Sequence, residues 1–403
     1  MNIYILKFLA AITNIFVISY AVGYFPSSLS SDYMLALAYT ILGLIVVGLG
    51  IEVSIERYAT RVLTHISKLE LTLLIFAISF FRTVVLLTIN EAVNTWLSPL
   101  IETNLFTTLF VFCTCLFLTI AATLNGVHMY VSSATANVIR GICRLPIALI
   151  PVAGATLPLL LSIEIGATLI ATTYCLTRLR GYRPNHARPI KRPKEILKFM
   201  SWNWIARLTS NLSALNTVKI LVLRSDDVNA VLVAYIIQLA QSVERFLPSK
   251  VLAGRYRPAL ASLYDNSQLE LLRQEILTLS RNNIVFSAAI AVCFIFLVIF
   301  VFNFYMPEMP TNFCLIVFVS SANLFLLNGI NSLNIFSNIT EESRTIFVSS
   351  FVMGLFFITG ALFFGKNNPT EIMVTLLLST LTYFPVWFFA SWNTVKRILS
   401  LRS

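Results

Sequence analysis

Charge is scarce in this sequence. Asp, Glu, Lys and Arg together make up 12% of the 403 residues, about half the roughly 25% of an ordinary soluble domain. Histidine is nearly missing, with His65, His128 and His186 far apart, and the six cysteines, Cys113, Cys115, Cys143, Cys175, Cys293 and Cys314, all lie in apolar runs. None of these has the spacing of metal ligands, so no metal residue is assigned and the thiols read as small buried hydrophobes. No glycine-rich loop ends in Lys-Ser or Lys-Thr, which removes a phosphate cradle for ATP. No Ser/His/Asp set suggests itself either. Bond chemistry is therefore not what the residues point to: the expectation is no enzyme, no catalytic residue and no cofactor, with work drawn from a proton or sodium gradient or from the gradient of the cargo.

What the chain has instead is oil. Hydrophobic residues make up 57% of it, in runs of about 20, the length that crosses a bilayer core. The first run, Ile3 to Tyr24, is too long for a cleavable leader and is followed by no small-residue cleavage site, so it reads as a span. The predicted spans are Ile3–Tyr24, Met34–Ile55, Leu69–Ile89, Asn104–Leu124, Asn137–Leu157 and Pro158–Thr177, then Phe199–Val222, Val228–Pro248, Asn283–Phe304, Asn312–Ile335, Thr345–Phe364 and Ile372–Trp392. Between the two sixes lies a stretch that hydrocarbon could not accept: Arg178, Arg180, Arg183, Arg188, Lys191, Arg192, Lys194 and Lys198, with one acid, Glu195. Loops dense in Lys and Arg stay on the cytoplasmic side. The net charge of +11 thus belongs to a membrane topology and not to a nucleic-acid interface.

The fold class predicted is all-α: a polytopic membrane protein of about twelve transmembrane helices in two six-helix bundles facing a central cavity. Residues 1–177 form the first bundle, 178–198 the basic cytoplasmic linker and 199–403 the second bundle. With both termini cytoplasmic, 24 of the 29 Lys and Arg fall inside, two (Arg224, Lys366) fall outside and three lie within spans. External connections are short and leave no room for an extracytoplasmic domain. Inside, Ser267 to Glu270 reads as a capping box before an amphipathic stretch with Leu269, Leu272, Ile276 and Leu279 on one face, expected as a short helix at the inner membrane surface. Two echoes relate the halves: Lys7–Phe8 with Lys198–Phe199, and Ser31–Asp32 then Ala38–Tyr39 with Ser225–Asp226 then Ala234–Tyr235. Two like-oriented halves of this kind place a pathway between them.

Charges within spans are the candidate site, because each costs roughly 2.5–3.5 kcal/mol on insertion scales and normally faces a partner or water. Arg82, about thirteen residues into the third span, and Arg207, flanked by Asn203 and Asn211 on one helical face, are expected to line a wet cavity and bind substrate. Lys219, close to a span end, is expected to snorkel. Arg140 and Arg144 share a face with Asn137 at the inner end of the fifth span, and two readings stand: an anion between them, or anchoring to lipid headgroups. Pro146 and Pro151 are expected to bend that helix. Glu164, roughly 10 Å from the outer end of the sixth span by helical rise, either pairs with a cavity arginine or carries a coupling proton. Glu52 and Glu244 have basic neighbours in Arg57 and Arg245. Asn323, Asn331 and Asn334, near one face of the tenth span, suit sugar hydroxyls or helix-to-helix hydrogen bonds equally.

In layout, and in the Gly48-Leu49-Gly50-Ile51 end of the second span ahead of Glu56–Arg57, the Asp-then-Ala-Tyr pattern and the membrane cations, the chain resembles the multidrug/oligosaccharidyl-lipid/polysaccharide exporter superfamily. Within it the similarity is to bacterial flippases for lipid-linked O-antigen units. The resemblance implies a transporter in the bacterial inner membrane that carries an undecaprenyl-pyrophosphate-linked oligosaccharide to the outer leaflet. Arg82 and Arg207 would hold its anionic headgroup, Arg140 and Arg144 would recruit it, and Asn211 and Asn331 would contact the cargo. Partners so implied are the lipid-linked oligosaccharide, membrane lipids, the O-antigen polymerase and chain-length machinery, and no nucleic acid. A multidrug cation exporter of the same superfamily shares the fold, but a positive lining repels organic cations. A membrane O-antigen polymerase or glycosyltransferase would need a sizeable external loop with catalytic groups.

Overall fold

The computed structural model describes residues 3–48, 51–52, 55, 68–94, 104–127, 129–182, 193–225, 227, 229–244, 246–247, 249, 260, 263, 268–306, 309–339, 343–364, 368–392 and 396. Among them helices dominate and no strand occurs. In chain order the helices are α1 (Ile3–Tyr24), α2 (Ser27–Val46), α3 (Lys68–Asn94), α4 (Leu105–Gly126), α5 (Tyr130–Cys143), α6 (Leu157–Gly181), α7 (Pro193–Leu212), α8 (Leu215–Leu223), α9 (Ala230–Glu244), α10 (Leu269–Tyr305), α11 (Phe313–Ile339), α12 (Ser343–Phe364) and α13 (Pro369–Ala390). Nine described helices are long and apolar enough to cross a bilayer. The protein is a multi-pass membrane protein. The predicted spans five, seven and eight correspond to α5, α7 with α8, and α9.

The chain divides into two compact units, Met1–Trp204 and Ile205–Ser403, so the division falls inside α7 and not in the basic stretch. In the first unit α4 packs on α6 and α3, and α5 on α1 and α6. Its cores join Leu71, Ile75, Phe117, Ile120 and Ala171, and Tyr39, Leu44, Leu86, Phe110 and Leu161. In the second unit α12 packs on α13, α11 on α10 and α13, and α8 on α9. Helix starts follow local chemistry. Asn104 Oδ1 accepts from Thr107 N at 2.9 Å and Asn368 Oδ1 from Thr370 N at 3.0 Å, each meeting a donor the first turn leaves open.

Three differences from the sequence-based expectation bear on the site. The first concerns the fifth span, which runs Tyr130–Cys143 and not Asn137–Leu157. Pro146 forbids continuation, since a proline removes a donor and biases its predecessor away from helix. The chain proceeds instead through 3-10 turns at Leu145–Leu149 and Val152–Gly154. Arg140 and Arg144 therefore lie at the end of α5 remote from Gly126 and Gly181, and not beside the basic stretch. Without them 22 of 29 basic residues stay in the group expected inside, still against two. Second, the seventh span breaks at Ser213–Ala214 between α7 and α8, where Thr217 Oγ1 donates to the freed Asn211 carbonyl at 2.5 Å. Third, the amphipathic stretch is no separate surface helix: it is the start of the 37-residue α10. Its predicted apolar face meets protein, with Leu272, Ile276 and Leu279 packed on Leu260, Leu263 and Ile335.

Two of the cysteines also depart from expectation. Cys113, Cys115 and Cys175 are buried, but Cys293 and Cys314 are exposed on the apolar helices α10 and α11, and all six are free thiols. Ser267, His65, His128, His186, Arg57, Arg183, Arg188, Lys191, Arg192, Asp226 and Arg245, which entered the sequence reading, lie outside the described residues.

Close packing of α1 on α5 depends on one missing side chain. A Cβ on Gly141 would run into the Thr13 hydroxyl, which already donates to the Leu9 and Ala10 carbonyls. Small residues of this kind let membrane helices approach. Gly141→Ala is expected to destabilise the first unit by about 1–3 kcal/mol, the usual cost of overpacking. Adding Thr13→Ala should restore most of it, as read from thermal unfolding of the purified variants.

Candidate functional site

The predicted membrane charges fall into separate places. In the first unit Arg82 is wholly buried, although its neighbours Phe80 and Phe81 are 64% and 60% exposed on the lipid side of α3. Its Nη2 donates to Glu52 Oε1 at 2.8 Å and to the Leu44 carbonyl at 2.6 Å, and its Nη1 to Thr119 Oγ1 at 3.4 Å. The cation thus sits at the carbonyl end of α2, where the helix dipole favours it. Gly48 makes room, since a Cβ there would stand 3.1 Å from the guanidinium. The expectation of a water-facing Arg82 is corrected: this is an internal salt bridge, and Glu52 has the membrane arginine as partner.

About 10 Å of helical rise from the Ser27 end of α2 and the Leu157 end of α6 lies a second cluster. Arg144, just past α5, donates from Nε to Glu164 Oε1 at 2.6 Å, from Nη1 to Asn14 Oδ1 at 2.6 Å and from Nη2 to Tyr33 Oη at 3.1 Å. Tyr33 in turn donates to Glu164 Oε1 at 2.5 Å. The broken end of α5 puts this guanidinium between α1, α2 and α6, whose polar residues would otherwise be stranded in hydrocarbon. Arg140, one turn earlier, places Nη2 3.7 Å from Glu164 Oε2, with its Cζ 5.4 Å from the centre of the Phe117 ring. Glu164 is completely buried. Of the two sequence readings for it, pairing with an arginine is what the geometry contains, but the partners are Arg144 and Arg140, not Arg82 or Arg207.

The second unit holds the remaining candidates. Arg207 is half-buried on α7. Asn211 donates its amide to the Arg207 carbonyl at 2.7 Å, tying it to its own helix. Lys219 does not snorkel. It is 1% exposed, and its Nζ donates to Gln238 Oε1 at 2.5 Å and Gln241 Oε1 at 3.4 Å, with Gln241 in turn donating to Asn216 Oδ1 at 2.8 Å. Gln238 and Gln241, three apart on α9 and so on one helical face, are the acceptors that hold this buried cation, a signal present in the sequence as two amides on an apolar helix.

The α11 amides act mainly between helices. Asn323 accepts from Thr380, Asn334 from Tyr383, and Asn328 from the Ser249 backbone. Asn331 is the exception: its Nδ2 is buried without a hydrogen-bond partner among the described residues.

No protein-family model and no curated protein matches the sequence. Solved structures do. An inward-facing multidrug resistance MATE family transporter of the MOP superfamily aligns over 100% of this chain and 97% of its own, at 12% identity and TM-score 0.68. The lipid II flippase MurJ in an inward closed conformation aligns over 98% and 89%, at 14% identity and TM-score 0.64. A MOP superfamily transporter from Pyrococcus furiosus, described by a reversed polarity of its binding pocket that suggests a different function, aligns over 100% and 97%, at 12% identity and TM-score 0.62. The chain shares the fold of these solved transporters. At these identities the likeness concerns the path of the backbone, and the cargo has to be argued from the side chains.

Proposed function

We propose that this protein is a flippase that moves an undecaprenyl-pyrophosphate-linked oligosaccharide, an O-antigen repeat unit, from the cytoplasmic to the periplasmic leaflet of a bacterial inner membrane by alternating access. The observation that carries the reading is the sign of the charge held within the spans. Among the described residues the buried charged side chains are Arg82, Arg144 and Lys219 against Glu164 alone. Buried cations of this number are maintained at a cost, and a pyrophosphate headgroup gives that cost a use. Arg82 is committed to Glu52 and supports the fold, and Arg144 is committed to Glu164, Asn14 and Tyr33; Arg207, half-buried, and Arg140 are the headgroup ligands. Asn331 keeps an amide donor for a sugar hydroxyl, whereas Asn211 is held by its helix. Glu164 then serves as the candidate for coupling to a proton or sodium gradient. The reading is of a carrier and not an enzyme.

One observation favours a second reading, a multidrug exporter: multidrug MATE transporters are among the structures that share this fold. Reconstitution separates the two. Proteoliposomes are expected to move a fluorescent lipid-linked oligosaccharide into the opposite leaflet above the protein-free rate and to leave a cationic dye where it is. Arg207→Ala should lower the flipping rate about ten- to hundred-fold, the effect of losing one charge-assisted contact of roughly 1.5–3 kcal/mol. Dye efflux with no lipid movement would establish the exporter instead.

A further inference from the structure

The two arginines beside Glu164 are held in different ways. Arg144 is fixed by three hydrogen bonds of 2.6 to 3.1 Å to three helices, and its side chain is 8% exposed. Arg140 is 19% exposed and stands 3.7 Å from the carboxylate, beyond hydrogen-bond length. The oxygen it faces, Glu164 Oε2, is buried and accepts no hydrogen bond among the described residues. Together Arg140, Arg144 and Glu164 carry one net positive charge. Arg144 is thus the positioning residue that sets the carboxylate in place, and Arg140 is the member an incoming group can touch.

We propose that Glu164 is a resident counter-anion which competes with the phosphates of the cargo for Arg140. On loading, Arg140 exchanges the carboxylate for a phosphate oxygen, and on release it returns. The idea rests on the carrier reading above and adds how the site lets go. A buried guanidinium stripped of its anion is costly, commonly by several kcal/mol, so a site made of arginines alone would hold a pyrophosphate and release it slowly. An internal carboxylate keeps an anion beside Arg140 in both states, which lowers affinity and raises turnover. The planar guanidinium suits the task because it binds carboxylate and phosphate oxygens with the same fork of donors. Phe117 offers the cation a face to rest on between the two.

The test is binding of farnesyl pyrophosphate to the full-length protein in lipid nanodiscs. Glu164→Gln is expected to tighten binding about ten-fold, inside the usual range for coupled sites, and to slow dissociation. Arg140→Gln should weaken it by a similar factor, and the double variant should match Arg140→Gln, because the effect of Glu164 passes through Arg140. Inorganic pyrophosphate as competitor separates the sources. Displacement by it assigns the site to free or lipid-borne phosphate alike, while displacement by prenyl pyrophosphate only assigns it to the lipid, and either result supports the exchange. Unchanged or weaker binding by Glu164→Gln, or a double variant that keeps the gain, overturns it. Should the glutamine variant fail to accumulate, Glu164→Asp keeps the charge but draws it back toward α6, with a gain of about three-fold expected; wild-type affinity there overturns the exchange equally. Wild-type protein that binds no prenyl pyrophosphate at all would instead remove the carrier reading on which the exchange rests.

Discussion

Arg144→Met is expected to lower the stability of the first unit by about 3–5 kcal/mol, the usual result of removing one partner of a buried ion pair. Three acceptors each lose a donor at once: Glu164 Oε1, Asn14 Oδ1 and Tyr33 Oη. Glu164, fully buried, would keep only the long contact to Arg140 and the hydroxyl of Tyr33. For a unit of this size the change corresponds to a melting temperature lower by about 10 °C. The buried thiols Cys113, Cys115 and Cys175 provide the readout, since a thiol-reactive dye reports their exposure on heating. Arg144→Lys should recover only part of the loss, because an ammonium cannot address three acceptors from one rigid plane. A melting curve for Arg144→Met within about 2 °C of wild type, roughly 1 kcal/mol, would show that the network contributes little to folding.

Arg82→Met is expected to cost about 3 kcal/mol, toward the low end for such pairs, because Glu52 is 18% exposed and can draw some water. Adding Glu52→Gln should restore most of the stability, as a neutral pair no longer strands a carboxylate. The double variant then answers a second question. If it is stable and flips lipid-linked oligosaccharide at the wild-type rate, Arg82 is part of the scaffold. If it is stable but inactive, Arg82 touches cargo in some step of the cycle, and the salt bridge describes one state only.

What the sequence disclosed and what it withheld follow from range. Span lengths are local, and nine of the twelve spans read from apolar runs correspond to described helices long and apolar enough to cross a bilayer. Depth was legible too: Arg82 and Glu164 were recognisable as membrane-buried. Direction around the helix axis was not. Whether Arg82 turns toward water or toward Glu52 depends on a residue 30 positions away, brought near by how α3 packs. Arg140 and Arg144 were misplaced for a different reason. The apolar run alone places the start of the fifth span at Asn137, whereas Asn125–Gly126 ends α4 in the manner of a helix stop and Pro146 ends α5. Those two signals place the pair at the opposite end of the span, beside Glu164. The Ala38–Tyr39 and Ala234–Tyr235 echo is buried in both units, which gives those residues packing roles. Position alone makes Lys219 a snorkelling residue, because its acceptors, Gln238 and Gln241, come from the next helix.

Helix α10 leaves one mechanical consequence. At 37 residues it is about 55 Å long, against a hydrocarbon layer of about 30 Å. Roughly 25 Å of it extends past the hydrocarbon, and there its apolar face rests on Leu260, Leu263 and Ile335, so the helix works as a lever with lipid at one end and protein at the other. A tilt of about 10° would sweep its tip through several ångströms, so a thinner or thicker bilayer, which changes tilt, would be felt as displacement far from the acyl chains.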